Sequence, residues 1–319
     1  MDEFRIIAEI FAPLATVPFA FGLTDDAAAI PSYPGFDLVV TTDAIAEGTD
    51  FFKHDPAGSI AQKALRVNLS DLAAKGAEPR YYLLNIALPE GMTREWLGAF
   101  ATGLRADQDL WGLSLIGGDT SRTEGPLVIS ITAFGFVPEG KMIRRAGARA
   151  GDGVYVTGTI GDSGGGLAIF KREKHTLDET QRDYLVGRYR LPQPPLDFGA
   201  ALIGRASASV DVSDGLVADL GHLARASGVK LTIDAAAIPR SPALHALWGD
   251  DAAAIIRAAT AGDDYQIAFT ASGHDAVMTA ASEAAVTVTR IGRVEVGEGV
   301  ELDLDGRNLP VPATGYRHF

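Results

Sequence analysis

The sequence predicts a two-domain α+β protein, and three observations carry that expectation. The chain has 319 residues, against a length prior of roughly 150 residues per domain. Helical and strand periodicities are mixed in both halves, without the regular strand–helix units of a doubly wound sheet or a barrel. Between Lys141 and Gly151 the periodicity gives way to basic residues and glycines, setting the expected domains at 1–140 and 141–319. There is no short tandem repeat.

Taken in order, residues 2–14 predict an amphipathic helix, with Phe4, Ile7, Ile10, Phe11 and Leu14 near a helical period. The loop Gly22–Ala28 follows, then a buried strand from Asp37 to Thr42 that runs into Asp43. Ala57 to Gly76 reads as a helix, and Tyr81 to Leu88 as a strand stopped by Pro89. Thr93 to Leu110 is a helix with a Thr cap and Glu95 in its first turn. Leu113 to Ile116 is a strand ending at Gly117-Gly118-Asp119-Thr120, and Leu127 to Val137 is another. The second half opens with a strand, Asp152 to Thr157, a glycine-rich turn over 158–166 and a helix. Helices at 178–190 and 195–205 flank a Pro-rich break. The strand Ala208 to Val212 meets Ser213-Asp214-Gly215 and opens a helix to Ser227. Strand 230–234, helix 242–258, strand 265–270, helix 273–284 and strand 286–294 complete the pattern.

Composition narrows the function. Hydrophobic residues make up 47% and charged residues 22% of the chain, values ordinary for a globular protein. With no cysteine there is neither a disulfide nor a thiolate site, which favours a reducing compartment. Met1-Asp2-Glu3 does not begin a secretory signal, no apolar run is long enough for a bilayer, and a cytoplasmic protein without a membrane partner is expected. A net charge of −13 argues against nucleic acid. It also means that a phosphorylated ligand needs cations, Arg, Lys or backbone amides to reverse the local potential.

Chemistry concentrates in acidic residues beside small or hydroxylic ones. In Val67–Ala77, the polar Asn68, Ser70 and Asp71 interrupt alanine-rich sequence, and a carboxylate so placed needs a partner or a cation. Asp26, Asp43, Asp71, Asp119, Asp211 and Asp214 are each expected at a strand end or in a glycine-bounded turn, where groups project from a scaffold into a cleft. Thr41 and Thr42 precede Asp43, and Ser213 separates Asp211 from Asp214. Carboxylate, hydroxyl and carbonyl oxygens suit Mg²⁺ or Ca²⁺, and no Cys or His cluster offers zinc a site. Gly117–Thr120 offers backbone amides for phosphate, with Lys141, Arg144 and Arg145 as cations. There is no G-x-x-x-x-G-K-[ST] and no kinase-type glycine loop; Gly161–Gly166 reads equally as a tight strand-to-helix connection.

Each aspartate taken alone also reads as a cap or turn residue. His54, His222 and His318 read as solvated or hydrogen-bonded, Lys75 as lying on a solvated helix face, and Trp96 and Trp111 as core.

Taken together the motifs resemble thiamine-monophosphate kinase, within the ATP-binding superfamily that includes aminoimidazole ribonucleotide synthetase. The resemblance rests on Thr24-Asp25-Asp26-Ala27-Ala28, Thr41-Thr42-Asp43 with Glu47-Gly48, and Asn68 to Ala77. It continues through Gly117 to Thr120, Arg145 to Ala148, Val210 to Leu216, Gly262-Asp263-Asp264-Tyr265 and the terminal Gly315-Tyr316-Arg317-His318-Phe319. It implies several Mg²⁺ ions on Asp26, Thr41, Thr42, Asp43, Asp71, Asp119, Asp211 and Asp214, with Asp43, Asp71 and Asp119 as catalytic aspartates. It implies ATP as co-substrate, contacted by Gly118, Asp119, Arg145 and Ser213, and thiamine monophosphate contacted by Asp50, Asp263 and Tyr316. The architecture implied is a mixed-sheet N-terminal domain that binds ATP and Mg²⁺ and dimerises, and an α/β C-terminal domain closing over nucleotide and substrate, in a homodimer.

Three positions depart from the family pattern: Asp50 stands where His is usual, Asp263 where Glu is usual, and Thr24 where Gly is usual. Relatives that depend on cysteine or selenocysteine are excluded by the absence of cysteine. Aminoimidazole ribonucleotide synthetase fits the terminal motif and Gly262–Tyr265 less well, and a non-catalytic nucleotide-binding regulator is the alternative of a different class.

Overall fold

The computed structural model of the protein describes residues 3–311 and residue 315. The chain divides into two compact units, Met1–Leu72 with Ala77–Gly140, and Ala73–Gly76 with Lys141–Phe319.

The first unit begins with a short helix, α1 (Glu3–Ile6), which loosens into a π turn at Ile7–Phe11 and a 3₁₀ turn at Ala12–Leu14. The single helix expected over 2–14 is therefore broken, as Pro13 cannot donate an interior helical hydrogen bond. There follow β1 (Phe36–Ala46), α2 (Ala57–Ala74), β2 (Glu78–Pro89), α3 (Arg94–Trp111), β3 (Ser114–Thr123) and β4 (Val128–Pro138). The strands form one sheet in the order β1-β4-β2-β3. Only β2 and β3 run parallel, and α3 is the crossover a parallel pair requires. Thr93 caps α3 by accepting the Trp96 N–H, as the sequence predicts, and Gly112 ends it in a left-handed conformation.

Along β4, Ile129, Ile131, Ala133 and Val137 are buried while Ser130, Thr132, Phe134 and Phe136 alternate on the other face. Leu72 of α2 lies against Gly135, which identifies the buried face as the helix side. Within this layer α3 lies directly on α2: a Cβ on Gly103 would stand 2.2 Å from the Gly58 carbonyl.

Two strands run further than expected. β1 continues through Asp43 to Ala46, and β3 continues through Gly117–Thr120 to Thr123. Asp43 and Asp119 are thus ladder residues, opposite Ile131 and Asn85, rather than strand ends or turns. Pairing with neighbouring strands overrides the local turn preference of Gly and Asp. Gly118 is required there, because a Cβ would sit 1.8 Å from the Leu84 carbonyl oxygen.

The second unit comprises β5 (Gly153–Thr157), α4 (Asp162–Phe170), α5 (Glu179–Arg190), α6 (Leu196–Ala201), β6 (Ala208–Asp211), α7 (Leu216–Ser227) and β7 (Lys230–Asp234). It continues with α8 (Pro242–Trp248), α9 (Ala252–Thr260), β8 (Ile267–Ala271), α10 (His274–Glu283), β9 (Val288–Glu295), β10 (Gly299–Leu304) and β11 (Arg307–Asn308). Its mixed sheet has the order β11-β10-β7-β9-β5-β8-β6. β5, β6 and β8 are buried throughout. Leu216, Leu220, Leu223 and Ala224 recur at helical spacing and bury one face of α7.

The helix expected over 242–258 is two helices, parted at Gly249 and capped anew by Asp251, which accepts the Ala254 N–H. β10 was not expected, although Val300, Leu302 and Leu304 alternate as a strand should; it pairs parallel with β7.

Candidate functional site

In the first unit the sequence-predicted residues fall into two groups. The first joins β1 to α2. The Thr41 hydroxyl donates to the Asp71 carboxylate, and the Asp43 N–H donates to Asn68 Oδ1 at 2.9 Å. Asn68 is fully buried and its Nδ2 donates to the Ala64 carbonyl at 3.0 Å, so its amide is satisfied at both ends. That leaves Asp43 exposed and Asp71 half-buried, both reached from solvent, with Thr41 between them. Asp71 is neither a helix cap nor a turn residue; it lies in the last turn of α2. Thr42 points to the opposite face, where it donates to the Ile131 carbonyl at 3.1 Å and accepts from Thr132 at 3.1 Å.

The second group surrounds a cavity of about 700 Å³ lined by Asp25, Asp26, Asn85, Gly118, Asp119 and Phe134, among others. Strand alternation puts Asp119 with its neighbour Asn85 on the face away from α2. The row Asp43, Ile131, Leu84, Gly118 crosses the sheet, so Asp43 and Gly118 are three strand spacings apart, roughly 14 Å. One copy of this unit does not gather Asp43, Asp71 and Asp119 around a single point.

Asp50 serves its own loop. Its Oδ2 accepts the Ala46 N–H at 2.8 Å, and its carbonyl accepts from the buried Lys63 Nζ at 2.7 Å. His54 is exposed, as expected.

In the second unit two loops lie side by side at the start of α7, and a third packs against its far end. β6 ends at Asp211, which is 5% exposed, and leads through Ser213 and Asp214 into α7. The loop before β8 runs beside this turn: the Asp263 N–H donates to the Ser213 carbonyl at 2.8 Å, and the Tyr265 N–H to the Val212 carbonyl at 2.8 Å. Asp263 and Tyr265 both have positive φ, of 67° and 51°, a conformation non-glycine residues hold only where the surroundings impose it. Asp263 Oδ1 accepts the Tyr265 hydroxyl at 3.1 Å. The third loop carries Arg145. Its carbonyl accepts from Ser227 at 3.1 Å, and Ser227 Oγ accepts the N–H groups of Gly147 and Ala148 at 3.1 and 3.2 Å. The structure therefore brings Asp211, Ser213, Asp214 and Asp263 together, and ties the Arg145 loop to the far end of α7.

Two carboxylates here are perturbed. Burial and the Asp214 carboxylate push Asp219 up to about 7, against the pull of the Asp214, Ser213 and Gly215 N–H groups. Burial also raises Asp264 well above the ordinary carboxylate range. Asp264 accepts the Gly161 N–H at 2.7 Å and ties the glycine-rich turn to the Asp263 loop. The turn itself is the tight connection of β5 to α4.

Lys75, expected on a solvated face, instead donates to the Ser209 carbonyl at 3.0 Å within the second unit. Tyr316 and His318 lie outside the described residues. Gly315 sits against α7, where a Cβ would stand 2.5 Å from the Asp214 carbonyl oxygen. Sequence reasoning missed Asp219 and Ser227. The available signal was an acid in the first turn and a serine in the last turn of the helix that follows Asp214.

The donor set fits a hard cation. Among the described residues no three His, Cys, Asp or Glu side chains close around a metal by themselves. The candidates supply carboxylate and hydroxyl oxygens in small sets, which suits Mg²⁺, an ion held by one or two carboxylates and completed by water and phosphate.

Comparison with known proteins identifies the family. The family model for the AIR synthase related protein, N-terminal domain, matches residues 24–137, and that for the C-terminal domain matches residues 149–305. Thiamine-monophosphate kinase of Caulobacter vibrioides is 41% identical over 99% of this chain and 90% of its own length. The crystal structure of thiamine-monophosphate kinase from Stenotrophomonas maltophilia is 40% identical, covers 96% of both chains and superposes with a TM-score of 0.84. AaThiL complexed with AMPPCP and TMP is 33% identical over 92% of this chain and 91% of its own, with a TM-score of 0.78. On identity sustained along its length, the chain belongs to the thiamine-monophosphate kinase family.

Proposed function

We propose that the protein transfers the γ-phosphoryl group of ATP to thiamine monophosphate, giving thiamine diphosphate and ADP in the cytoplasm. The observation that carries this reading is the full-length likeness to AaThiL complexed with the ATP analogue AMPPCP and with TMP, read here as thiamine monophosphate.

The acceptor is a phosphate oxygen that is largely ionised at neutral pH, so the reaction needs no strong general base. It attacks the γ-phosphorus as the bond to the ADP oxygen breaks, and the barrier is the approach of two anions. Bound Mg²⁺ would neutralise that charge and align the phosphates. In the first unit Asp43, Asp71 and Thr41 would hold one such ion and Asp26 and Asp119 another, with the Gly118 backbone against phosphate. In the second, Asp211 and Asp214 offer carboxylates, Ser213 and Arg145 contact the nucleotide, and Asp263 contacts the acceptor. Asp50, whose Oδ2 also closes its own turn, would contact the acceptor from that loop.

The protein acts as a homodimer in this reading. Phe36, Leu38 and Val40 project from β1 on the face away from α2 and are 51%, 46% and 53% exposed. Together with Phe134 and Phe136 they form an apolar face of the kind that marks an interface. A second copy docked there would also cover the cavity holding Asp26 and Asp119.

A coupled assay of ADP release, with and without thiamine monophosphate, tests the reading. Release that depends on the acceptor supports it; nucleotide binding without such release would mark a regulator.

A further inference from the structure

We propose that Asp219 is a positioning residue: it fixes the Ser213–Asp214–Gly215 turn, and with it the oxygen donors of Asp211, Ser213 and Asp214, for the complex of a divalent cation with the nucleotide. The inference rests on the functional reading above.

One oxygen of Asp219, Oδ2, accepts three consecutive backbone N–H groups, from Ser213 and Asp214 at 3.0 Å and from Gly215 at 3.2 Å. The residue is 2% exposed, so the carboxylate faces the backbone rather than a ligand. Three donors converging on one oxygen tie the turn to the start of α7, and the tie needs an acceptor oxygen at that point rather than a charge. The turn is braced from the other side as well. The Ser213 carbonyl accepts the Asp263 N–H at 2.8 Å, and a Cβ on Gly215 would stand 3.0 Å from the carbonyls of Thr260 and Ala261. Asp219 thus presses the turn against the Asp263 loop, leaving Asp214 only its side chain free to turn. Removing the acceptor would leave three N–H groups without their shared partner, and the turn would relax to satisfy them.

The test measures binding of Mn²⁺ with AMPPCP to the purified full chain, beside thermal unfolding of each variant. In Asp219→Ala the folded protein should bind the Mn²⁺–AMPPCP complex at least tenfold more weakly. Asp219→Asn, which keeps a carbonyl acceptor at the same reach, should recover most of that affinity, to within about threefold of the unaltered protein. If both variants melt lower but bind as tightly as the unaltered protein, Asp219 is only a helix-start residue and the proposal is wrong. If Asn loses as much as Ala, the charge acts on the cation directly and the proposal is equally wrong. Because binding is read rather than turnover, a chain that binds Mn²⁺–AMPPCP but makes no thiamine diphosphate would overturn the kinase reading and still decide the role of Asp219.

Discussion

The Thr41 hydroxyl donates to the Asp71 carboxylate and so links the middle of β1 to the last turn of α2. The bond orients a carboxylate that is only half-buried and therefore available to a cation. Asp71→Asn and Asp43→Asn should each lower turnover by about 100-fold while shifting the unfolding midpoint little. Thr41→Val, which removes only the orienting bond, should cost about tenfold. Steady-state rates measured against Mg²⁺ concentration check this, and unchanged product formation in Asp71→Asn would contradict it.

A second carboxylate in the same unit has a different task. Asp107 is 1% exposed and takes a forked pair of bonds from Arg66, at 2.9 and 2.8 Å, and a third from Gln62 at 2.7 Å. Removing one partner strands a buried charge, so Asp107→Ala should destabilise the fold by about 3–5 kcal/mol. Urea unfolding should show the loss, and Arg66→Met combined with Asp107→Leu should recover much of it.

Ser227 closes α7 against the loop that carries Arg145, with one hydroxyl serving three backbone groups. Ser227→Ala should cost about 1 kcal/mol of stability and raise the KM for ATP about threefold to tenfold, with kcat affected less. Equal losses in kcat and KM effects confined to thiamine monophosphate would assign the loop to the acceptor instead.

Asp264 is expected to make the fold pH-sensitive. Burial raises its carboxyl well above the ordinary value of 3.8, so the folded chain holds that proton more tightly than the unfolded chain. Its contribution is therefore complete below about pH 3.8 and is lost as pH rises through the folded value. Relative to Asp264→Asn, the unaltered protein should lose stability as pH is raised from about 4 to 8, as measured by urea unfolding at each pH. A difference that does not change with pH would contradict the assignment.

Much of the site was legible because its chemistry is written in residue types. Oxygen ligands without Cys or a His cluster point to a hard cation wherever the chain folds, and Ser213 and Asp214 do sit in the turn that opens α7. The placements of Asp43 and Asp119 were not legible. Both read locally as turn or strand-end residues, and only cross-strand pairing reveals them as ladder residues on opposite faces of one sheet. Asp50 is named through the resemblance alone, and the bond by which its carboxylate closes the loop from Ala46 is visible only in the fold. The sequence marks Asp219 only as an acid in a first helical turn; its three N–H partners become neighbours only when the turn folds back on α7. The close approach of Gly103 to Gly58 is likewise a matter of helix packing, which no periodicity reports.

The central claim is tested most directly by product analysis after incubating the protein with Mg²⁺-ATP and thiamine monophosphate. The account predicts thiamine diphosphate and ADP in equal amounts, both absent when the acceptor or the divalent cation is left out. ADP and phosphate without thiamine diphosphate, or no turnover by a protein that binds both ligands, would contradict it.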